Sequence, residues 1–139
     1  MEEFTDFECP FCKKAHGVLM DLVVKSDGAV RVTHRDFPLD MSCNPAIDRP
    51  FHEHACEAAM FARCAAAQDR FWPMSDKLFT SALGLDPTAL RTYAKDLGLD
   101  LAALEKLRGG SGDARGDLEG YRGGARPRRR RHAHLLRQR

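Results

Sequence analysis

Apolar positions along residues 1–108 fall into two short alternating stretches and several stretches with a helical period. Glu3-Phe4-Thr5-Asp6-Phe7 is aromatic and β-branched and predicts the end of a strand. Ala15, Val18, Leu19, Leu22 and Val23 recur at three- and four-residue intervals, which predicts a helix with one apolar face. Pro10 suits its first turn, Lys25 its last, and Asp27-Gly28 its stop. Ala29-Val30-Arg31-Val32-Thr33-His34-Arg35 alternates and predicts a second strand, followed by the turn-like Phe37-Pro38-Leu39-Asp40. Met41 to Asp48 reads as a loop. From Pro50 to about Gln68 the pattern is helical, with Cys56, Ala59, Met60 and Ala66 among its apolar positions. Phe71-Trp72, expected as core anchors, lead into a helix through Leu78-Phe79. Asp86-Pro87 opens another, with Leu90, Tyr93, Ala94 and Leu97 on its core face, and Asp100 begins a last short one carrying Leu101, Leu104 and Leu107. The order is strand, helix, strand, then helices, an α/β arrangement without repeats.

Charge changes this picture at the C-terminal end. Residues 1–108 carry 13 Lys and Arg against 17 Asp and Glu, whereas residues 109–139 carry 9 Arg, no Lys and 3 acidic residues. That last stretch also lacks Val, Ile, Phe, Met and Trp, so no strand can be read from it. It is expected to be a disordered Arg/Gly-rich basic tail, or a stretch translated out of frame. The remainder, 1–108, is the size of one domain. No apolar run reaches membrane-spanning length. Met1 is followed by Glu2-Glu3 rather than by a basic, then apolar leader, so the chain as written is expected in the cytoplasm.

The candidate chemistry lies at Cys9-Pro10-Phe11-Cys12. Two cysteines separated by two residues at a helix start have a physical use. Unpaired backbone N–H groups and the helix dipole stabilise a thiolate on the first sulfur, and the second lies within disulfide range one turn on. Cys9 is then the attacking thiol and Cys12 the more buried resolving one, with exchange passing through a mixed disulfide. Zinc is the rival reading, with Cys9 and Cys12 joined by His52 and Cys56 one helical turn apart. Against it stand the absence of a second C-x-x-C and the long gap between the two ligand pairs. Haem attachment fails because Lys13 stands where C-x-x-C-H needs a histidine. His16, His52 and His54 are expected at the surface, and Glu8 is expected to point away from Cys9.

FTDFECPFC, followed in order by HRDFPLD, CNPAI, HACEAA and QDRFWPMSDKLF, resembles the DsbA-like branch of the thioredoxin superfamily. The resemblance covers roughly residues 3–108. It implies a thioredoxin-like fold with a helical insertion at about 41–108, and thiol–disulfide exchange with protein clients through Cys9 and Cys12. It implies no cofactor and no metal, a monomer, a cell-envelope or periplasmic setting, and a membrane redox partner of the vitamin K epoxide reductase or DsbB type. It places Glu3, six positions before Cys9, beneath the site as proton acceptor for the buried thiol. Pro10 and Phe11 tune the pair. Strongly oxidising relatives carry a histidine where Phe11 stands, so a milder oxidant is expected. The family also completes its sheet with further strands and a cis-proline loop facing the disulfide. The matching region here holds only Pro127, between arginines, so the chain reads as truncated and its exchange as impaired.

The other cysteines are read separately. Cys56 and Cys64 lie about 12 Å apart along one helix and cannot bridge. Cys43 could reach either, and Cys56, nearer the helix start, is the better partner. Three reduced cysteines remain equally open at this point. Cys64, among alanines, reads as a small buried hydrophobe. The competing functional class is a non-catalytic binder on a degenerate thioredoxin half, clipped by zinc or using Arg126–Arg131 to hold nucleic acid or an acidic surface by charge. That cluster lacks the interleaved aromatics of a sequence-reading module, so no specific nucleic acid is expected.

Overall fold

The computed structural model describes residues 1–109. Its elements are β1 (Glu2–Thr5), α1 (Pro10–Lys25), β2 (Thr33–Asp36), α2 (Ala55–Ala67), α3 (Phe71–Thr80), α4 (Pro87–Asp96) and α5 (Leu101–Gly109). β1 and β2 pair in parallel, with Glu2 opposite Thr33, Glu3 opposite His34, Phe4 opposite Arg35 and Thr5 opposite Asp36. A parallel pair needs a crossover, and α1 supplies it. The expected α/β architecture with helices inserted after the second strand is present. The tail, Pro127 and the Arg126–Arg131 cluster lie outside the described residues. Among those residues the sheet has two strands and no peptide bond is cis.

The helix boundaries follow local chemistry. α1 stops where Asp27 and then Gly28 turn to positive φ, +46° and +90°, which a helix cannot continue through. α4 begins at a built cap: the Asp86 carboxylate accepts from the Thr88 N–H at 2.9 Å and the Ala89 N–H at 3.3 Å, with Pro87 at the first helical position. Asp86→Ala is expected to lower unfolding stability by about 1 kcal/mol, and Asp86→Asn to keep most of it, in urea titrations.

The core gathers the four later helices. Ala58, Ala62 and Ala65 line one side of α2 and are almost fully buried, so its backbone approaches α3 and α4 closely. Phe61, Met74, Leu78, Leu90, Tyr93 and Leu104 fill the space between the helices. Tyr93 is buried with its hydroxyl donating to the Gly84 carbonyl at 2.7 Å, which satisfies its one polar atom. Phe71 belongs to this core and Trp72 packs at its edge.

Two expectations need correction here. α2 begins at Ala55, not Pro50, because the residues before it are tied to the turn after β1 through His52 and His54. The apolar stripe of α1 is not a core face: Val18 is 71% exposed and Leu22 41%, Ala15 is exposed, and Leu19 and Val23 are only half-buried. Its one fully buried residue is His16. Periodicity reports a face that is apolar, not one that is covered, and two strands offer α1 little surface.

Candidate active site

β1 ends at Thr5, and four residues later Cys9 occupies the cap position of α1 with extended backbone (φ −74°, ψ 119°). Its own side chain makes no capping hydrogen bond. Cys9 therefore stands at the positive pole of a 16-residue helix, where the first-turn N–H groups and the helix dipole favour a thiolate. Pro10 gives up no intrahelical bond at its position and fixes the entry angle. Phe11 projects into solvent, 77% exposed, and stands beside the pair as an apolar knob.

Both thiols are free and partly exposed. Burial pushes the Cys12 thiol above the ordinary range, the Asp6 N–H and Thr5 hydroxyl pull it back, and the hydrogen bond and charge of Cys9 add to the rise. The net direction is up, which favours a Cys12 that keeps its proton. Such an asymmetry suits one exposed attacking sulfur and one reserve.

The turn between β1 and α1 is built around Asp6, a residue that the sequence reading did not single out. Only 3% exposed, Asp6 accepts from the N–H of Glu8 at 2.7 Å and of Leu39 at 2.6 Å, and pairs with His52 Nδ1 at 2.9 Å. Its carbonyl accepts from the Cys9 N–H at 3.2 Å. Glu8 does turn away from Cys9, its carboxylate accepting from the His54 N–H at 2.9 Å. His52 is thus a half-buried partner of Asp6 rather than a free surface residue, and His54 is half-buried too. His16 is also corrected: it is 4% exposed, stacks near Trp72 and Phe79, and bonds Asp76 at 2.8 Å.

Glu3 is opposite His34 on the paired strands and bonds to it. Its carboxylate bonds His34 Nδ1 at 3.2 Å, and His34 Nε2 bonds Asp36 at 2.9 Å. Arg63 from α2 donates to the other Asp36 oxygen at 2.9 Å. The groups that shift the Cys12 thiol, besides burial, are Asp6, Thr5 and Cys9, and Glu3 is not among them. Phe7 and Phe71 cover the His34 ring. Burial would depress His34, yet its hydrogen bonds to Asp36 and Glu3 win and raise its pKa. Burial likewise pushes the Asp36 carboxyl up, and His34 with Arg63 overcomes it, leaving it below the usual value.

Cys43 and Cys56 are joined in a disulfide with Cα atoms 6.0 Å apart. Cys64 is a buried free thiol, pushed up by burial and touched by the Gln68 amide. The proposed zinc set is consequently not assembled, since Cys56 is bridged and His52 faces Asp6. Among the described residues no group of three or more His, Cys, Asp or Glu is arranged to hold a metal. Nor is any described helix long and apolar enough to cross a membrane.

A strand running into C-P-F-C at a helix cap, a parallel partner strand and a helical insertion define a thioredoxin-like domain. The chain belongs to the thioredoxin family, whose model matches residues 1–108. It is also similar to segments of much longer curated proteins. It is 33% identical over 92 residues to Na(+)/H(+) antiporter NhaA 1 of Mycolicibacterium gilvum, covering 66% of this chain and 14% of that protein. It is 36% identical over 93 residues to Na(+)/H(+) antiporter NhaA 3 of Salinispora tropica, covering 67% and 13%. Against Na(+)/H(+) antiporter NhaA of Herminiimonas arsenicoxydans the identity is 34% over 94 residues, covering 68% and 13%. The match therefore spans about a seventh of the length of these relatives.

Proposed function

We propose that the chain is a thiol–disulfide oxidoreductase that exchanges disulfides with protein clients through Cys9 and Cys12. The observation that carries this reading is the placement of Cys9 on the uncapped positive end of α1, with a second free thiol, Cys12, three residues on and raised by burial. Cys9 attacks or is attacked, because it stands at the anion-stabilising end. Cys12 displaces the client from the mixed disulfide. Phe11 supplies no charge or donor to the Cys9 sulfur, which favours a mild oxidant. The DsbA-like resemblance and the Cys43–Cys56 bridge support work in an oxidising cell-envelope compartment, alongside a membrane redox partner of the vitamin K epoxide reductase or DsbB type.

The test is a trapping experiment with a scrambled disulfide-bonded client. Cys12→Ser is expected to accumulate a client mixed disulfide at Cys9, and Cys9→Ser to form none and lose exchange. Exchange that survives Cys9→Ser sinks the assignment.

A second reading is favoured by the relatives named as Na(+)/H(+) antiporters, in which the similar segment is a seventh of the chain. Here the same pair serves as a redox module of a larger ion-transport protein. Antiport by a relative that changes between reduced and oxidised membranes, and stops changing when the segment similar to this chain is deleted, would favour it. Antiport indifferent to both would remove it.

A further inference from the structure

We propose that His52 is a positioning residue for the Cys9–Cys12 pair, acting through Asp6. The inference rests on the redox reading above and extends it to a residue far along the chain. Asp6 meets the pair with its main chain: its carbonyl accepts from the Cys9 N–H at 3.2 Å, and its N–H acts on the Cys12 thiol in the direction that favours the thiolate. Its carboxylate is what fixes that main chain. Two of the partners of the carboxylate are backbone N–H groups, which no side-chain substitution removes. The third is His52 Nδ1, a side-chain donor 46 positions away.

His52 is itself held from several sides. Its N–H donates to the Leu39 carbonyl at 3.1 Å, and the neighbouring His54 N–H donates to Glu8. Phe51 stacks on its ring at 4.4 Å. The segment carrying it is closed by the Cys43–Cys56 bridge. An imidazole clamped in this way aims one donor at a carboxylate that is only 2% exposed. A buried carboxylate that loses a donor re-orients to find water, and its main chain moves with it. The turn that holds the Cys9 N–H on the Asp6 carbonyl then loosens, and the Asp6 N–H that favours the Cys12 thiolate shifts with it. Cys12 needs that donor when it becomes a thiolate, that is, in the resolving step and not in the first attack.

With glutathione disulfide as probe the two steps separate. The Cys9 thiolate attacks one glutathione sulfur, forming the mixed disulfide and releasing one glutathione thiolate. Cys12 then gives its proton to water and attacks the Cys9 sulfur, forming the Cys9–Cys12 bond and releasing the second glutathione thiolate. The pair loses two electrons and the probe gains two.

Acid-quenched mass measurements on the 139-residue chain follow both steps. His52→Leu is expected to slow the second step about fivefold, the worth of one hydrogen bond, with the first step unchanged. His52→Asn, whose amide nitrogen can replace Nδ1, is expected to restore it. Resolution at the parental rate in His52→Leu overturns the proposal but leaves the redox reading standing. So does equal slowing of both steps without rescue by His52→Asn, which marks a merely structural histidine. Failure of the parent chain to form a mixed disulfide at Cys9 overturns both.

Discussion

Asp36→Ala is expected to destabilise the protein by about 3–5 kcal/mol, the cost of breaking a buried ion pair from one side. The reason is the number of charges that meet at Asp36. One oxygen bonds His34 and the other bonds Arg63, and the side chain is 4% exposed. Removing the carboxylate leaves a histidine that is 1% exposed with Glu3 alone, and a guanidinium with no counter-charge on that side. With His34 protonated, the network of His34, Glu3, Asp36 and Arg63 balances two positive against two negative charges, and losing Asp36 leaves one positive charge without its counterpart. The chain of bonds also links β1, β2 and α2, which makes the loss global rather than local.

The same network sets a pH dependence. His34 has a raised folded-state pKa, so its contribution is complete below the ordinary value of 6.5 and is lost as pH rises through the folded value above it. Asp36 has a lowered one, so its contribution is complete above 3.8 and is lost as pH falls through the folded value below it. Both are present in the window between those two ordinary values. Urea midpoints of the parent are therefore expected to fall between about pH 5.5 and about pH 8.5, and those of Asp36→Ala to fall less. A parent whose midpoint is flat or rises across that interval would show that the network does not hold a charged histidine.

How far the sequence discloses this arrangement depends on the kind of signal. The C-P-F-C turn was legible because its chemistry is local: a strand end, a proline at the first helical position and two sulfurs one turn apart. α4 was legible for a similar reason, its cap and core face lying within ten residues. His34 and Asp36 sit two apart on a strand and so share a face. What the sequence does not disclose is the register that sets Glu3 opposite His34, because a parallel pairing is fixed by a crossover and not by a turn. The pairing of Asp6 with His52 was missed for the same physical reason. An aspartate three residues before a cysteine looks like turn chemistry, and only the fold shows that a histidine 46 positions on completes it. The stripe of α1 failed in the opposite direction. Val18 and Leu22 have core spacing, yet among the described residues they stay 71% and 41% exposed.

Removing the Cys43–Cys56 bridge is expected to lower unfolding stability by about 3 kcal/mol, the loop-closure term for a loop near this length. The two cysteines are 13 positions apart. Hydrogen bonds already shape the native loop: the Asn44 amide donates to the Pro38 carbonyl at 2.8 Å, and the Asp40 carboxylate accepts from the Ser42 N–H at 2.9 Å and the Cys56 N–H at 3.2 Å. Those contacts survive loss of the covalent link, so the bridge acts mainly by restricting the unfolded chain. The comparison is Cys43→Ala/Cys56→Ala against a parent, both carrying Cys9→Ser and Cys12→Ser so that the exchanging pair does not contribute. Trp72, the single tryptophan, packs at the core edge beside His16 and reports unfolding. The expected result is a lower urea midpoint, with a steeper dependence on urea because the unlinked chain exposes more surface when it unfolds. A loss well below 1 kcal/mol would mean that the reduced loop gains nearly as much in its native contacts as it loses in the unfolded state, and that the bridge is there for something other than stability.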